Sequence, residues 1–352
     1  MDKARSQQFM QKVVGDAGTA MAAALVHVGT RTGLFRAMAG AGPLAAGELA
    51  DRTGIGQRNV AEWLAAMASA GYLVYEPDGE RFTLPDEHAL FFTDPASEYY
   101  LGGLFDGLPA LMAMAPRLAA SFERGGGVSF AEFGAGMPLA LEQMNRPVYE
   151  NRLVQSWLPQ LPAVVERLNA GGRAIDVGCG TGVVPLILAR AYPQAHIEGL
   201  DVDARSIGIA RGYAQEAGLQ DRVGFIQAGA DALRGDPGYD LITTFDVIHD
   251  LPDPGAVLAC IRAALAPGGT YLMVEPAVDD RLENNLANPF ARMLYAISCL
   301  HCVPQSLAQG GPGLGACWGP GQARELAMAA GFGRFERLPV RSPVMAFYAL
   351  SA

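Results

Sequence analysis

Ala174-Ile-Asp-Val-Gly-Cys-Gly-Thr-Gly182 is the stretch that decides the fold of this chain. A short apolar run ends in an acid, and glycines follow at every second position, Gly178, Gly180 and Gly182. The pattern predicts a buried strand from Arg173 to Val177 that turns sharply into a helix at Val183. Glycine has no Cβ, so the backbone can bend tightly and a ligand can lie against it. The spacing is not the G-x-G-x-x-G with which nicotinamide enzymes seat a pyrophosphate on a helix N-terminus. Asp176 at the strand tip would repel a phosphate and welcome an ammonium.

Outward from this point, strands and helices alternate. Strands are expected near 173–177, 196–201, 222–227, 240–247 and 270–275, with helices near 183–192, 203–217 and 254–266. Such alternation implies a mostly parallel sheet with helices on both faces. A helical insertion over 279–303 and a glycine-rich loop, Gly310-Gly-Pro-Gly-Leu-Gly315, follow. A helix over 321–330 and an edge hairpin near 334–340 and 344–350 complete a seven-stranded, Rossmann-like, doubly wound α/β fold.

Ligands of open α/β sheets sit beyond the carboxyl ends of the strands. Asp201 and Val202 close the second strand, where an acid can accept both hydroxyls of a ribose. Asp231 and Ala232 follow the third, placed for an adenine amine. Phe245-Asp246 ends the fourth. A helix cap or loop acid is the commoner use of Asp near Gly. Acids at three successive strand ends make a nucleoside site the better reading.

These features in this order resemble the class I methyltransferases that use S-adenosylmethionine (SAM), over about residues 150–352. SAM carries an ammonium and a sulfonium and no phosphate. The resemblance implies that Asp176 lies near the methionine moiety, Asp201 at the ribose and Asp231 by the adenine. The run Phe245-Asp-Val-Ile-His-Asp-Leu-Pro-Asp-Pro254 is similar to the His-Asp stretch of plant-type O-methyltransferases, whose base matches His249. Glu275, ending strand five, matches the glutamate that orients that histidine. The tryptophan that usually follows the pair is Leu251 here. A second plant-type glutamate falls in Gly315-Ala-Cys-Trp318, which has none. An oxygen acceptor with His249 as base is therefore set beside a nitrogen or sulfur acceptor that needs no base.

Cys299-Leu-His-Cys302 is read as core packing of a helix, and no metal site is expected. Phe130, Phe133, Met137, Tyr149 and Trp157 either roof the ligand or pack the connector.

Residues 1–92 are expected to form a mostly helical winged-helix domain, 93–170 a helical connector and 171–352 the SAM-binding domain. The helix starting at Gln57 places Val60, Leu64 and Met67 on one face and ends at Gly71. A hairpin around Pro77-Asp-Gly79 follows. Residues 21–92 hold five Arg and eight acids. Phosphate contact dominates DNA affinity, so this balance favours a homodimer interface over a DNA reader. A SAM-sensing winged-helix regulator is the alternative of another class.

The whole chain has 352 residues, a net charge of −10 and half its residues hydrophobic, a balance that argues against a nucleic-acid or anionic-membrane partner. Five cysteines in a long chain do not suggest a disulfide framework. No uncharged apolar run approaches the roughly 20 residues that span a bilayer. A cytoplasmic enzyme acting on a small, apolar or aromatic acceptor, without membrane or nucleic-acid partner, is the expectation.

Overall fold

In the computed structural model, which describes residues 1–235 and 237–352, the chain divides into two compact units. The first holds residues 1–109 and 143–148, the second 110–142 and 149–352. Residues 93–170, expected as a connector, are shared between the two units, and helix Met137–Arg152 contributes to both.

In the first unit Asp2 caps helix Lys3–Thr32 by accepting from the Arg5 N–H, and Gly33 closes it in the left-handed region. Only Val26 and Gly29 of its 30 residues are buried. By length and composition alone this helix is long and apolar enough to cross a membrane. Asp16 is paired with Lys12 one turn before it on this helix. Helices Ala46–Thr53 and Gln57–Ser69 follow, then strands β1 (Val74–Glu76) and β2 (Arg81–Thr83) in the expected hairpin. Val60, Leu64 and Met67 are fully buried with Trp63, Phe35 and Leu49. Gly71 adopts φ 79°, and the Tyr72 N–H reaches back to the Met67 carbonyl, the closure expected of a terminal glycine. Arg58 is paired with Glu62 on the same helix.

The second unit contains the sheet. Its strands are β3 (Arg173–Val177), β4 (His196–Asp201), β5 (Val223–Gln227), β6 (Tyr239–Phe245), β7 (Leu265–Pro276), β8 (Arg334–Arg337) and β9 (Met345–Ser351). They lie in the order β5-β4-β3-β6-β7-β9-β8. The first five are parallel, and β9 pairs antiparallel with both β7 and β8. Seven expected strands are seven observed ones. The fifth begins five residues early, because a register shift after Tyr239 lets Leu265 pair before Thr270 meets Leu241. Ile175, Ile242, Leu258, Ile261, Tyr271 and Met273 fill one buried layer of this unit.

The insertion expected as one helix over 279–303 is broken. Helices Leu282–Asn285 and Ala291–Ile297 flank Asn288-Pro289, where Asn288 accepts from the Phe290 N–H. A π-turn, Ser298–Cys302, then precedes helix Val303–Ala308. Pro304 has no N–H for the carbonyl four residues back, so the α ladder cannot run through it unaltered.

Candidate active site

Strand order places the functional residues in a row. Successive strands leave β3 in one direction to β4 and β5, then in the other to β6 and β7. The carboxyl ends of β3 and β6 therefore flank a switch point, where open α/β sheets bind ligands.

At the tip of β3, Asp176 is 3% exposed and accepts the Thr243 hydroxyl at 2.5 Å. Burial pushes its pKa up to about 7. Thr243 opposes that shift, and the charge of Asp201 adds to it. The turn beyond is held from β4. The Gly180 N–H donates to Asp201 Oδ2 and the Asp203 N–H to Oδ1, both at 2.8 Å. Burial raises the Asp201 pKa too, against these backbone donors. Each carboxylate oxygen keeps a second lone pair, so a diol can still be received. Gly178, Gly180 and Gly182 all have positive φ. A Cβ on Gly180 would meet nothing within 4 Å, whereas one on Gly182 would run into Phe225. Gly180 thus leaves open space beside the two acids. Val202, 70% exposed, and the exposed Asp231 and Ala232 continue the row past β4 and β5.

This lining fits SAM, the cofactor a methyltransferase domain takes. Two desolvated acids gain from a cationic ligand, and the glycine turn leaves room for it. Phe245, expected at the cofactor, ends β6. Its ring is partly buried 4.9 Å from Tyr149 and 6.2 Å from Trp157. It belongs to an aromatic cluster at the end of that strand.

On the other side, His249 lies in a short 3₁₀ turn, Ile248–Asp250, and is 2% exposed. Its Nδ1 is hydrogen-bonded to Glu275 Oε2. Glu275 also accepts the Ile248 N–H on Oε1 and the Trp318 indole N–H on Oε2, both at 3.1 Å. The expected pair is therefore joined directly across the ends of β6 and β7. A carboxylate on Nδ1 fixes the tautomer and leaves Nε2 as the basic nitrogen of the neutral ring. Burial pulls the ring's pKa down, but Glu275 and Asp250 outweigh it and hold the pKa well above the usual histidine value. Trp318 comes from the very stretch where the second plant-type glutamate is missing.

Thr243, Cys302 and Trp318 were missed in the sequence, and Asp246 was read only as the end of a strand. Thr243 is one of two adjacent threonines, both fully buried, that follow Leu241-Ile242 in β6, and that pattern was the available signal. Asp246 follows it at φ 56°, a left-handed conformation that Asp tolerates better than most residues. Burial lifts its carboxyl to about 7, with His249 opposing and Glu275 and Asp250 adding. Cys302 faces His249 Nε2 from the π-turn, and no helical periodicity foretold that. His301 packs as expected, buried 4.8 Å from the Phe133 ring, with its Nδ1 2.9 Å from the Gln305 amide nitrogen. The loop Gly310–Gly315 is pinned rather than free. The Gly313 N–H donates to Ser306 Oγ at 3.1 Å, the Gly315 N–H to the His249 carbonyl at 3.3 Å and the Ala316 N–H to Ser298 Oγ at 3.0 Å.

The fold and site define a class I methyltransferase domain joined to a winged-helix domain. Residues 168–318 match the family described as a methyltransferase domain, and residues 20–94 that described as an Rv2258c-like winged HTH domain. A ubiquinone biosynthesis O-methyltransferase of Burkholderia orbicola is 32% identical over 141 residues, 40% of this chain and 56% of the relative. Another of Aeromonas salmonicida is 33% identical over 99 residues, 28% of this chain and 41% of the relative. The matched stretches thus span about half or less of these relatives. Among solved structures, mitomycin 7-O-methyltransferase superposes with TM-score 0.69 at 21% identity, covering all of both chains. Human N-acetylserotonin methyltransferase in complex with SAM superposes with TM-score 0.69 at 17% identity, covering 100% of this chain and 98% of the other. At such identities the likeness is one of fold.

Proposed function

We propose that the protein transfers a methyl group from SAM to a hydroxyl of a small, apolar or aromatic acceptor. SAM supplies an electrophilic methyl on a sulfonium, a good leaving group. The chain's residues then have to align, keep the site dry and move one proton. The carrying observation is the His249–Glu275 pair, since an amine or thiol acceptor has little need of an oriented base. Glu275 holds Nδ1, so Nε2 takes the proton from the acceptor hydroxyl. The same carboxylate stabilises the imidazolium that results. The raised pKa of His249 sets the working range, because the neutral ring becomes scarce as pH falls through it. The test is incubation with SAM and a panel of phenols, anilines and thiols, with S-adenosylhomocysteine measured. Methylation at oxygen that rises with pH above neutrality is the expected outcome. Turnover confined to amines or thiols would overturn the reading. Salt-dependent DNA binding without any turnover would favour a SAM-sensing regulator instead.

The protein is further proposed to be a homodimer through helix Lys3–Thr32. Phe9, Val14 and Met21 of that helix are 65%, 66% and 71% exposed within one chain, an apolar face that a second copy would cover. Val14→Glu combined with Met21→Glu should give a monomer by light scattering. A wild-type monomer at micromolar concentration would refute this.

A further inference from the structure

We propose that His249 Nε2, Asp250 Oδ1 and Cys302 Sγ form a site for one zinc-like divalent cation. One ligand atom from each of these residues lies within 4.8 Å of the others, and His249 Nε2 is 3.3 Å from Asp250 Oδ1. His249 and Cys302 are buried. Nitrogen, carboxylate oxygen and thiolate sulfur form the mixed donor set that suits zinc better than magnesium or calcium.

The groups behind the three ligands are also in place. His249 Nδ1 is held by Glu275, the carboxylate–histidine arrangement that aims Nε2 at a metal and strengthens it as a donor. Gln305 donates from Nε2 to Asp250 Oδ2 at 3.2 Å, which turns the other oxygen toward His249. That other oxygen, Asp250 Oδ1, is buried and receives no hydrogen bond among the described residues. A bound cation would satisfy it. Cys302 is delivered by the π-turn Ser298–Cys302, an irregularity that recurs at functional sites. Bond lengths of about 2.0–2.3 Å place neighbouring ligands of a tetrahedral metal about 3.5 Å apart. Drawing the ligand atoms together from at most 4.8 Å therefore takes up to about 1.3 Å, within reach of side-chain adjustment. Three protein ligands leave a fourth position for water or the acceptor oxygen.

Binding displaces the thiol proton of Cys302, and the proton on His249 Nε2 when the ring is charged. It also occupies the nitrogen that the proposed methyl transfer uses. The cation and the acceptor's proton then compete for one lone pair, and zinc acts as a reversible brake. That last consequence, unlike the site itself, rests on the proposed reaction.

The test is a titration of the full-length protein with Co²⁺ alone, read by absorption, with Zn²⁺ calorimetry beside it. The wild type should take up one equivalent and show a thiolate-to-cobalt charge-transfer band. Cys302→Ser should abolish the band, and Asp250→Asn should weaken binding about 10- to 100-fold. Cys299→Ser, at an exposed position, should leave the band unchanged. No uptake by the wild type would overturn the site, as would a band that survives Cys302→Ser. Turnover with and without Zn²⁺ is a separate arm. Uptake without inhibition would leave the site standing and count against His249 as the base.

Discussion

On the β5–β4–β3 side of the switch point, Asp201 is held by backbone donors, and Asp176 by the Thr243 hydroxyl of the neighbouring strand. Asp201 accepts from Asp203, two residues on, and from Gly180 in the turn after the adjacent strand β3. On the β6–β7 side the groups are held by side chains from distant segments: His249 by Glu275, and Glu275 by Trp318. The first arrangement is exposed at its outer end by Val202 and Asp231 and is open to a ligand. The second is sealed, and each member depends on the others. The contrast suggests a division of labour between binding and chemistry, and each half has its own way of failing.

His249→Ala is the strongest test of that division. Turnover should fall about 10²–10⁴-fold, the usual contribution of a general base. Affinity for S-adenosylhomocysteine, read by calorimetry, should stay within about twofold because no cofactor-side acid depends on the ring. If binding collapses together with turnover, the two halves are one unit.

Glu275→Gln keeps the shape and removes the charge. A drop of about 10- to 100-fold in turnover is expected from loss of an orienting carboxylate. The sign of the accompanying pH shift is fixed. Glu275 raises the pKa of His249, so its neutralisation should move the rising limb of the rate profile to lower pH. An unmoved limb would mean that another group titrates.

Asp201→Ala should act on the other half. Unpaired ribose hydroxyls and a released Gly180 N–H should cost about 1.5–3 kcal/mol of cofactor affinity. At saturating SAM the turnover should change much less. Unchanged affinity in titration would remove Asp201 from the cofactor site.

The smallest expected effect is a pH dependence of binding. Asp176 has a pKa of about 7, and a cationic cofactor favours its ionised form. SAM affinity should therefore rise a few-fold as pH climbs through that value. Thr243 lowers the pKa of Asp176, so Thr243→Val should move the midpoint upward. A flat profile between pH 6 and 8 would separate Asp176 from the methionine end of the ligand.

The contrast also explains what was readable in the sequence. Asp176, Asp201 and Asp231 announce themselves because strand, glycine and acid follow one another within a few residues. His249 and Glu275 were found by their places at strand ends, one strand apart. Their partners were not. Trp318 reaches Glu275 across 43 positions, and nothing in Ala-Cys-Trp-Gly says where the indole points. Cys302 was read as packing because a π-turn has no periodicity of its own, and the turn rotates the side chain off the face that an α-helix would give it. The extent of β7 was missed for a different reason. Pro267-Gly-Gly269 is turn chemistry, yet a register shift carries it as part of a strand.

Strand β9 gives this layout a direction in time. It lies against β7, with Ala346 opposite Glu275, and it follows every other strand of the sheet in the chain. During synthesis the pairings of β3, β4, β5 and β6 are available while β7 still lacks its outer neighbour. The β3–β4 and β4–β5 pairings join residues 23 and 26 positions apart, against 69 to 79 for β7–β9, and short loops close fastest. The emerging chain thus completes the strand pairings behind its nucleoside-facing half before it completes those behind the carboxylate that orients its base.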